Sequence, residues 1–220
     1  MFLWKQNVLV FAVLAVVCAS CTRAQPSIDY WTARLVWQQV DGNTIPTMNF
    51  FVIASDPDGA EDLDELRLYH DGEGLVWNFN SENWIRLEEA GRVWLGSKML
   101  RMPLGESFPS GQYRVVIVDK GGEQGSKTFG FEVPADSRYR FPRLTVVDGN
   151  YTVVSDYPEN YIMCYHVDGA FRNQIKLTNK SGTLGSLRLA ADVFSIALWA
   201  EDVENTMSAL TPSVSIRHAP

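Results

Sequence analysis

The sequence of 220 residues contains only three cysteines and three histidines. So few sulfur and imidazole ligands exclude a disulfide framework and argue against a zinc or iron–sulfur centre. The 19 basic residues are outnumbered by 26 acidic ones, which gives a net charge of −7. Because a nucleic-acid-binding protein gains affinity by neutralising phosphates, this charge has the wrong sign, and we expect no nucleic-acid partner.

Familiar catalytic motifs are also lacking. The sequence has no Gly-x-Ser-x-Gly, no His-Glu-x-x-His and no glycine-rich phosphate loop. His70 and His166 precede Asp-Gly turns at equivalent places in two related stretches, so we interpret them as strand-end residues. We therefore expect a chain that is not an enzyme and has neither catalytic residues nor a cofactor.

Apolar runs of membrane-spanning length are missing as well. The unbroken apolar run at residues 8–17 has ten residues, whereas a helix that crosses a bilayer needs about 20. Lys5 precedes the run, and Arg23 and Pro26 follow it. This is the pattern of a signal peptide, and we expect residues 1–20 to be removed.

The end of this run, Cys18-Ala19-Ser20-Cys21, resembles the lipobox of bacterial lipoproteins. In that family the cysteine after the small residues receives a diacylglycerol thioether, which implies lipidation at Cys21, with palmitate as a label for it. Cys18 stands where the family usually has leucine, so cleavage by an ordinary signal peptidase is the alternative. Two or three acyl chains suffice to hold a protein on a membrane.

The resemblance implies an exported protein tethered through residues 21–27 to a bacterial membrane. Thr22 after the lipidated position is compatible with the outer membrane, and the side on which the chain lies is left open. After processing, Cys164 is the one thiol that is neither removed nor lipidated. Because it lies in a strand-like run, we predict a buried and inert thiol.

Beyond residue 27 short strand-like runs alternate with Asp-Gly, Gly-Gly and proline turns, and helical periodicity is scarce. The order of motifs repeats. Asp41-Gly42-Asn43 corresponds to Asp148-Gly149-Asn150, and Tyr69-His70-Asp71-Gly72 corresponds to Tyr165-His166-Val167-Asp168-Gly169. We predict two related all-β units, with domain 1 at residues 28–134, a linker at residues 135–142 and domain 2 at residues 143–220.

About seven short strands per unit is typical of an immunoglobulin-like sandwich. The stretch Phe108-Pro109-Ser110-Gly111-Gln112-Tyr113 resembles the turn and tyrosine of bacterial immunoglobulin-like and fibronectin type III-like domains. In those domains the hydroxyl group caps a corner of the fold. The predicted fold class is therefore all-β, with two tandem immunoglobulin-like β-sandwich domains after the signal peptide.

An acidic cluster and three tryptophans are the candidate binding residues. Oxygen ligands suit Ca²⁺, and the candidates are Asp56, Asp58, Asp62 and Asp64. The spacing departs from the EF-hand pattern, and Asp-Pro-Asp-Gly is a good turn, so we favour a simple turn over a Ca²⁺ site.

The tryptophan candidates are Trp77, Trp84 and Trp94. Strand alternation places Trp84 and Trp94 on the faces opposite their apolar neighbours. Clustered exposed tryptophans recognise sugars, peptides or proteins, and packing against a neighbouring strand is the alternative.

Together these features predict a membrane-anchored lipoprotein of the cell envelope. Its non-catalytic modules would bind an envelope protein or glycan, or act as spacers, with domain 1 carrying the contact surface. The alternative is an accessory protein or an enzyme that acts on envelope glycans or peptides.

Overall fold

The computed structural model describes residues 24–40, 42–133 and 139–216. The signal peptide, Cys21 and most of the linker lie outside the described residues. Within the described ranges the chain is almost entirely β, and no helix there is long and apolar enough to cross a bilayer. The all-β fold class predicted from the sequence is confirmed.

Strands β1 to β8 and two short 3-10 helices make up the first half. The strands are β1 (Ser27–Val40), β2 (Asn43–Ser55), β3 (Leu63–His70), β4 (Leu75–Asn80), β5 (Ile85–Glu89), β6 (Arg92–Arg101), β7 (Gly111–Asp119) and β8 (Gln124–Phe131), and the 3-10 helices are Ala60–Asp62 and Pro103–Gly105.

Strands β9 to β16 and one 3-10 helix make up the second half. The strands are β9 (Arg143–Val147), β10 (Asn150–Val154), β11 (Glu159–Tyr165), β12 (Phe171–Lys176), β13 (Ser181–Thr183), β14 (Ser195–Asp202), β15 (Met207–Leu210) and β16 (Val214–Ser215), and the 3-10 helix is Leu184–Leu187.

The strands form three sheets. A nine-stranded sheet has the order β12-β11-β14-β15-β1-β2-β6-β5, with β16 beside β14. A four-stranded sheet has the order β4-β3-β7-β8, and a three-stranded sheet has the order β13-β10-β9. Each smaller sheet covers one half of the large sheet, so the chain is a sandwich with two hydrophobic cores.

The first core lies between the four-stranded sheet and strands β1, β2 and β6. Phe50, Leu66 and Ile117 are fully buried and come from β2, β3 and β7. Trp31 and Phe50 stack on Phe129, with ring centroids 4.1 and 5.8 Å from it. Because strand side chains alternate between faces, these residues lie on one side of each sheet, and the residues between them lie on the other side.

The second core lies between the three-stranded sheet and strands β11, β14 and β15. Ile162, Ile196 and Leu198 are fully buried in it, and Tyr151 of β10 faces them. Cys164 also lies in this core with no exposed surface, and burial raises the pKa of its thiol. A buried thiol with a raised pKa is a poor nucleophile, as predicted.

One parallel strand pair joins the two halves of the large sheet. Residues 35–38 of β1 lie beside Met207–Leu210 of β15, and the Leu35 amide donates to the Thr206 carbonyl at 3.1 Å. Trp37 contacts both cores. The two cores therefore share a continuous sheet.

Tyr113 forms the corner that the family resemblance implies. Its hydroxyl donates to the Pro109 carbonyl at 2.8 Å, and its ring has no exposed surface. Burial raises the pKa of this phenol far above its ordinary value. The turn before β7 is therefore fixed to the first core.

Candidate binding groove

The face of the nine-stranded sheet that points away from both cores carries a groove of about 600 Å³. Its apolar lining consists of Met99, Met163, Tyr165, Phe171, Trp199 and Leu210. Its polar lining consists of Gln38, Asn49, Lys98, Gln174, Glu201 and the backbone of Gly169. Since these residues come from both halves of the chain, the groove crosses the β1–β15 junction.

Strand alternation explains why these side chains share one face. In β14, Trp199 and Glu201 alternate with the buried Leu198 and Ala200. In β2, Asn49 lies between core residues in the same way. Once the cores are filled from one side of the sheet, the intervening residues must line the other side.

Several of the apolar groups in the groove remain accessible. The side chain of Phe171 is 51% exposed and that of Met99 is 47% exposed. Tyr165 contacts Phe171 edge to face with centroids 6.2 Å apart. The groove therefore presents aromatic and thioether surfaces to a ligand.

Asn49 gives the groove an unpartnered acceptor. Its Oδ1 atom is buried and accepts no hydrogen bond. Most buried polar atoms in folded proteins have a partner, so an exception calls for an explanation. Because this oxygen has almost no exposed surface, a ligand in the groove could reach it only after the Asn49 side chain turns.

The charge of Glu201 is already compensated within the protein. Its carboxylate accepts hydrogen bonds from Arg34 and from the Trp199 indole N–H, the latter at 2.9 Å. Arg34 also donates to Ser208 Oγ at 3.3 Å. These contacts fix the orientation of Trp199 in the groove, and they leave Lys98 as the remaining charged group of the lining.

The structure separates the three tryptophans that the sequence singled out. Trp77 and Trp84 are partly buried against the first core, and the Trp77 indole donates to the Arg101 carbonyl at 3.1 Å. Trp94 lies on the opposite face of the large sheet, where it meets Tyr30 edge to face at 5.9 Å. The three indoles therefore do not form one surface, and their role in binding stays a prediction.

The reason for this difference is the start of β5. The strand begins at Ile85, so Trp84 lies in the preceding turn and the alternation argument does not apply to it. Leu87 pairs directly with Trp94 across β5 and β6, so the two side chains share the outer face. The apolar run around Trp199 indicates only a strand, so Trp199 is a groove residue that the sequence does not single out.

The acidic cluster is partly assembled. The carboxylate oxygens of Asp56, Asp62 and Asp119 lie within 4.8 Å of one another. Asp58 instead accepts a hydrogen bond from the Ala24 amide at 3.3 Å, and Asp64 is exposed on β3. The third member of the cluster is therefore the last residue of β7, which lies outside the acidic segment of the sequence.

The surroundings of Asp56 are unfavourable to the charged form of its carboxyl group. Burial raises the pKa of Asp56, and the neighbouring charges of Asp119, Asp58 and Asp62 raise it further. A hydrogen bond from the Asp58 amide at 2.7 Å acts in the opposite direction. The cluster thus concentrates negative charge with little compensation.

Comparison with known proteins gives matches in structure alone. No family model matches the sequence, and no curated protein matches it significantly. Nine solved chains give significant structural matches. Tp47, the 47-kilodalton lipoprotein of Treponema pallidum, is 10% identical with a TM-score of 0.39, and the match covers 86% of this chain and 50% of that one.

Two further similar structures are larger proteins. Dimeric latent PorU from Porphyromonas gingivalis is 12% identical with a TM-score of 0.36, and the match covers 86% of this chain and 20% of PorU. The BSP domain of a biofilm-associated protein is 13% identical with a TM-score of 0.28, and the match covers 87% of this chain and 30% of that one. This chain spans half or less of the length of each of the three.

Proposed function

We propose that this chain is a non-catalytic binding module of a bacterial cell envelope and that its groove binds a neutral glycan. The observation that carries the proposal is the combination, in one groove, of aromatic side chains with the side-chain amides of Gln38, Asn49 and Gln174. Ligand sites are typically concave and largely apolar, with a few polar groups that fix orientation.

The lining suits a sugar chain. A pyranose ring has C–H groups on its faces and hydroxyls around its rim, so it is held by aromatic surfaces and by groups that both donate and accept hydrogen bonds. Phe171, Tyr165 and Trp199 supply the aromatic surfaces, and the amides of Gln38, Asn49 and Gln174 supply donors and acceptors.

Two observations favour a neutral glycan over an anionic ligand or a peptide strand. Because Glu201 is paired with Arg34, Lys98 is the single uncompensated charge of the lining, which is little for an anionic ligand. An extended peptide binds by adding a strand to a sheet edge, whereas the groove lies on a sheet face and the edges are β12 and β5.

Replacement of Phe171 by alanine tests the groove. Phe171 is half-exposed and lies outside the second core, so Phe171→Ala should leave the urea midpoint unchanged. Glycan affinity should fall about tenfold or more, since loss of an aromatic contact at an interface commonly costs over 1 kcal/mol. Binding is measured first on an array of envelope polysaccharides and then by calorimetry.

Val154→Ala is the matched control for this experiment. Val154 is 65% exposed, but it lies on β10 in the three-stranded sheet, away from the groove. Equal glycan affinity of the Phe171→Ala variant and the wild type would rule out the groove. Absence of any bound glycan on the array would rule out the ligand class.

We further propose that the chain is exported and anchored through a lipid on Cys21. Cys21 is three residues before Ala24 in the sequence. The Ala24 amide donates to Asp58 in the acidic loop, so the part of the chain that the structure describes starts beside this loop.

The Cys21→Ala variant should move from the membrane fraction to the soluble fraction and lose metabolic palmitate labelling. The reason is that two or three acyl chains are the whole of the proposed anchor. Fractionation and labelling are compared with a Cys18→Ala variant, which should stay membrane-bound. If Cys18→Ala is released from the membrane and Cys21→Ala stays there, the lipid is not on Cys21.

A further inference from the structure

We infer that Asp56, Asp62 and Asp119 form a Ca²⁺ site at one end of the first core. This inference is independent of the glycan groove. Asp56 follows β2, Asp62 ends the 3-10 helix Ala60–Asp62, and Asp119 ends β7. The three carboxylate oxygens come together within 4.8 Å although the residues are up to 63 positions apart in the sequence.

The burial of Asp119 distinguishes this cluster from an ordinary acidic surface. Its side chain is only 2% exposed. Its Oδ1 atom accepts a hydrogen bond from the Glu123 amide at 2.8 Å, but its Oδ2 atom is buried and has no partner. Asp56 Oδ2 is buried without a partner in the same way. Buried carboxylate oxygens without donors are strongly unfavourable unless a cation or a proton compensates their charge.

No basic side chain takes the place of that cation among the described residues. The three carboxylates form no ion pair there with lysine, arginine or histidine. The nearby Lys120 ammonium instead donates to the Glu61 carbonyl at 2.6 Å. Three like charges in one partly buried cluster therefore call for a ligand of at least two positive charges.

The donor set selects Ca²⁺ among common cations. All three side-chain ligands are carboxylate oxygens, which hard cations prefer, whereas Zn²⁺ in proteins is bound mainly by cysteine and histidine. Ca²⁺ binds oxygen at about 2.3–2.6 Å, so two of its ligands are at most about 5 Å apart. The observed separations fit one ion. Mg²⁺ demands stricter octahedral geometry and gives up its water reluctantly.

A bound ion would connect parts of the chain that are distant in sequence. It would tie the β2–β3 connection to the end of β7, where the Lys120 amide already donates to the Asp62 carbonyl at 2.8 Å. Asp58 and Asp64 point to other partners or to solvent. Of the three carboxylate ligands, only two would therefore come from the acidic segment of the sequence.

The test is Ca²⁺ binding by the full chain, purified from membranes in detergent and stripped with EDTA. Oxygen sites in exported modules have Kd values on the order of 0.1–1 mM. At ten times Kd, the thermal midpoint of the wild type should rise by roughly 3–6 °C. Asp119→Asn keeps the oxygen that accepts from Glu123 but removes the charge, so it should weaken Ca²⁺ binding at least tenfold in calorimetry.

Asp64→Asn is the matched control, because it removes a nearby exposed carboxylate that lies outside the cluster, and it should bind Ca²⁺ like the wild type. If Asp119→Asn does not fold, Asp62→Asn replaces it, with the same expected loss. Absence of heat and of a midpoint shift in the wild type at 10 mM Ca²⁺ would overturn the inference. So would an equal loss of binding in Asp64→Asn, or an equal shift with 10 mM Mg²⁺.

Discussion

Gly96→Ala should destabilise the chain by about 3 kcal/mol or more, or prevent folding altogether. A Cβ atom at this position would lie 2.0 Å from the Phe50 carbonyl oxygen and 2.7 Å from the Phe51 Cα atom. Both atoms belong to the backbone of β2, which is paired on its other side with β1 along its whole length. Because β2 is held in the middle of the sheet, it cannot move aside cheaply.

Gly130→Ala is the control for this prediction. Gly130 also lies inside a strand, but the nearest atom to an added Cβ would be Gln112 Nε2 at 3.7 Å, an ordinary contact. The urea midpoint of Gly130→Ala should stay close to that of the wild type, since alanine fits this position and loses less backbone entropy on folding than glycine. Equal midpoints for the two variants would show that β2 and β6 can separate.

Tyr113→Ala should reduce the free energy of unfolding by about 3–5 kcal/mol, whereas Tyr113→Phe should reduce it by about 1 kcal/mol. The ring stacks at 5.8 Å on Phe129 and meets Phe131 edge to face, and alanine removes both contacts. Phenylalanine keeps the ring but loses the hydrogen bond to the Pro109 carbonyl.

Urea unfolding of both Tyr113 variants separates packing from hydrogen bonding. A Tyr113→Phe variant as unstable as Tyr113→Ala would mean that the corner hydrogen bond, and not the ring, holds the turn before β7. A small loss of unfolding free energy in Tyr113→Ala would mean that the first core can close around the cavity left by the missing ring.

Local patterns predicted those parts of the fold that depend on neighbouring residues. Alternating apolar residues and Asp-Gly turns indicate strands, because both patterns are set within a few residues. The corner at Tyr113 is implied by the resemblance of residues 108–113 to immunoglobulin-like domains. The β1–β15 pairing is different in kind. It brings Leu35 beside Met207 in parallel, and nothing in either segment specifies a partner so far away in the sequence.

The same limit applies to both candidate sites. Asp56 and Asp62 belong to a visible acidic segment, but Asp119 joins them only because β7 pairs with β3. The groove likewise depends on which strands become neighbours. Trp199 and Asn49 lie in separate strand-like runs, and they line one groove only after β1 has joined the two halves.

The position of β1 has a mechanical consequence. The strand begins at Ser27, directly after the segment that would leave the membrane, and it is hydrogen-bonded to β2 along its length and to β15 over residues 35–38. A pull on the N-terminal segment is therefore shared among many backbone hydrogen bonds on both flanks of one strand. If the chain is anchored at Cys21 and binds a ligand in the groove, as proposed, tension would pass through β15 and β1 to the N-terminal segment without crossing the linker.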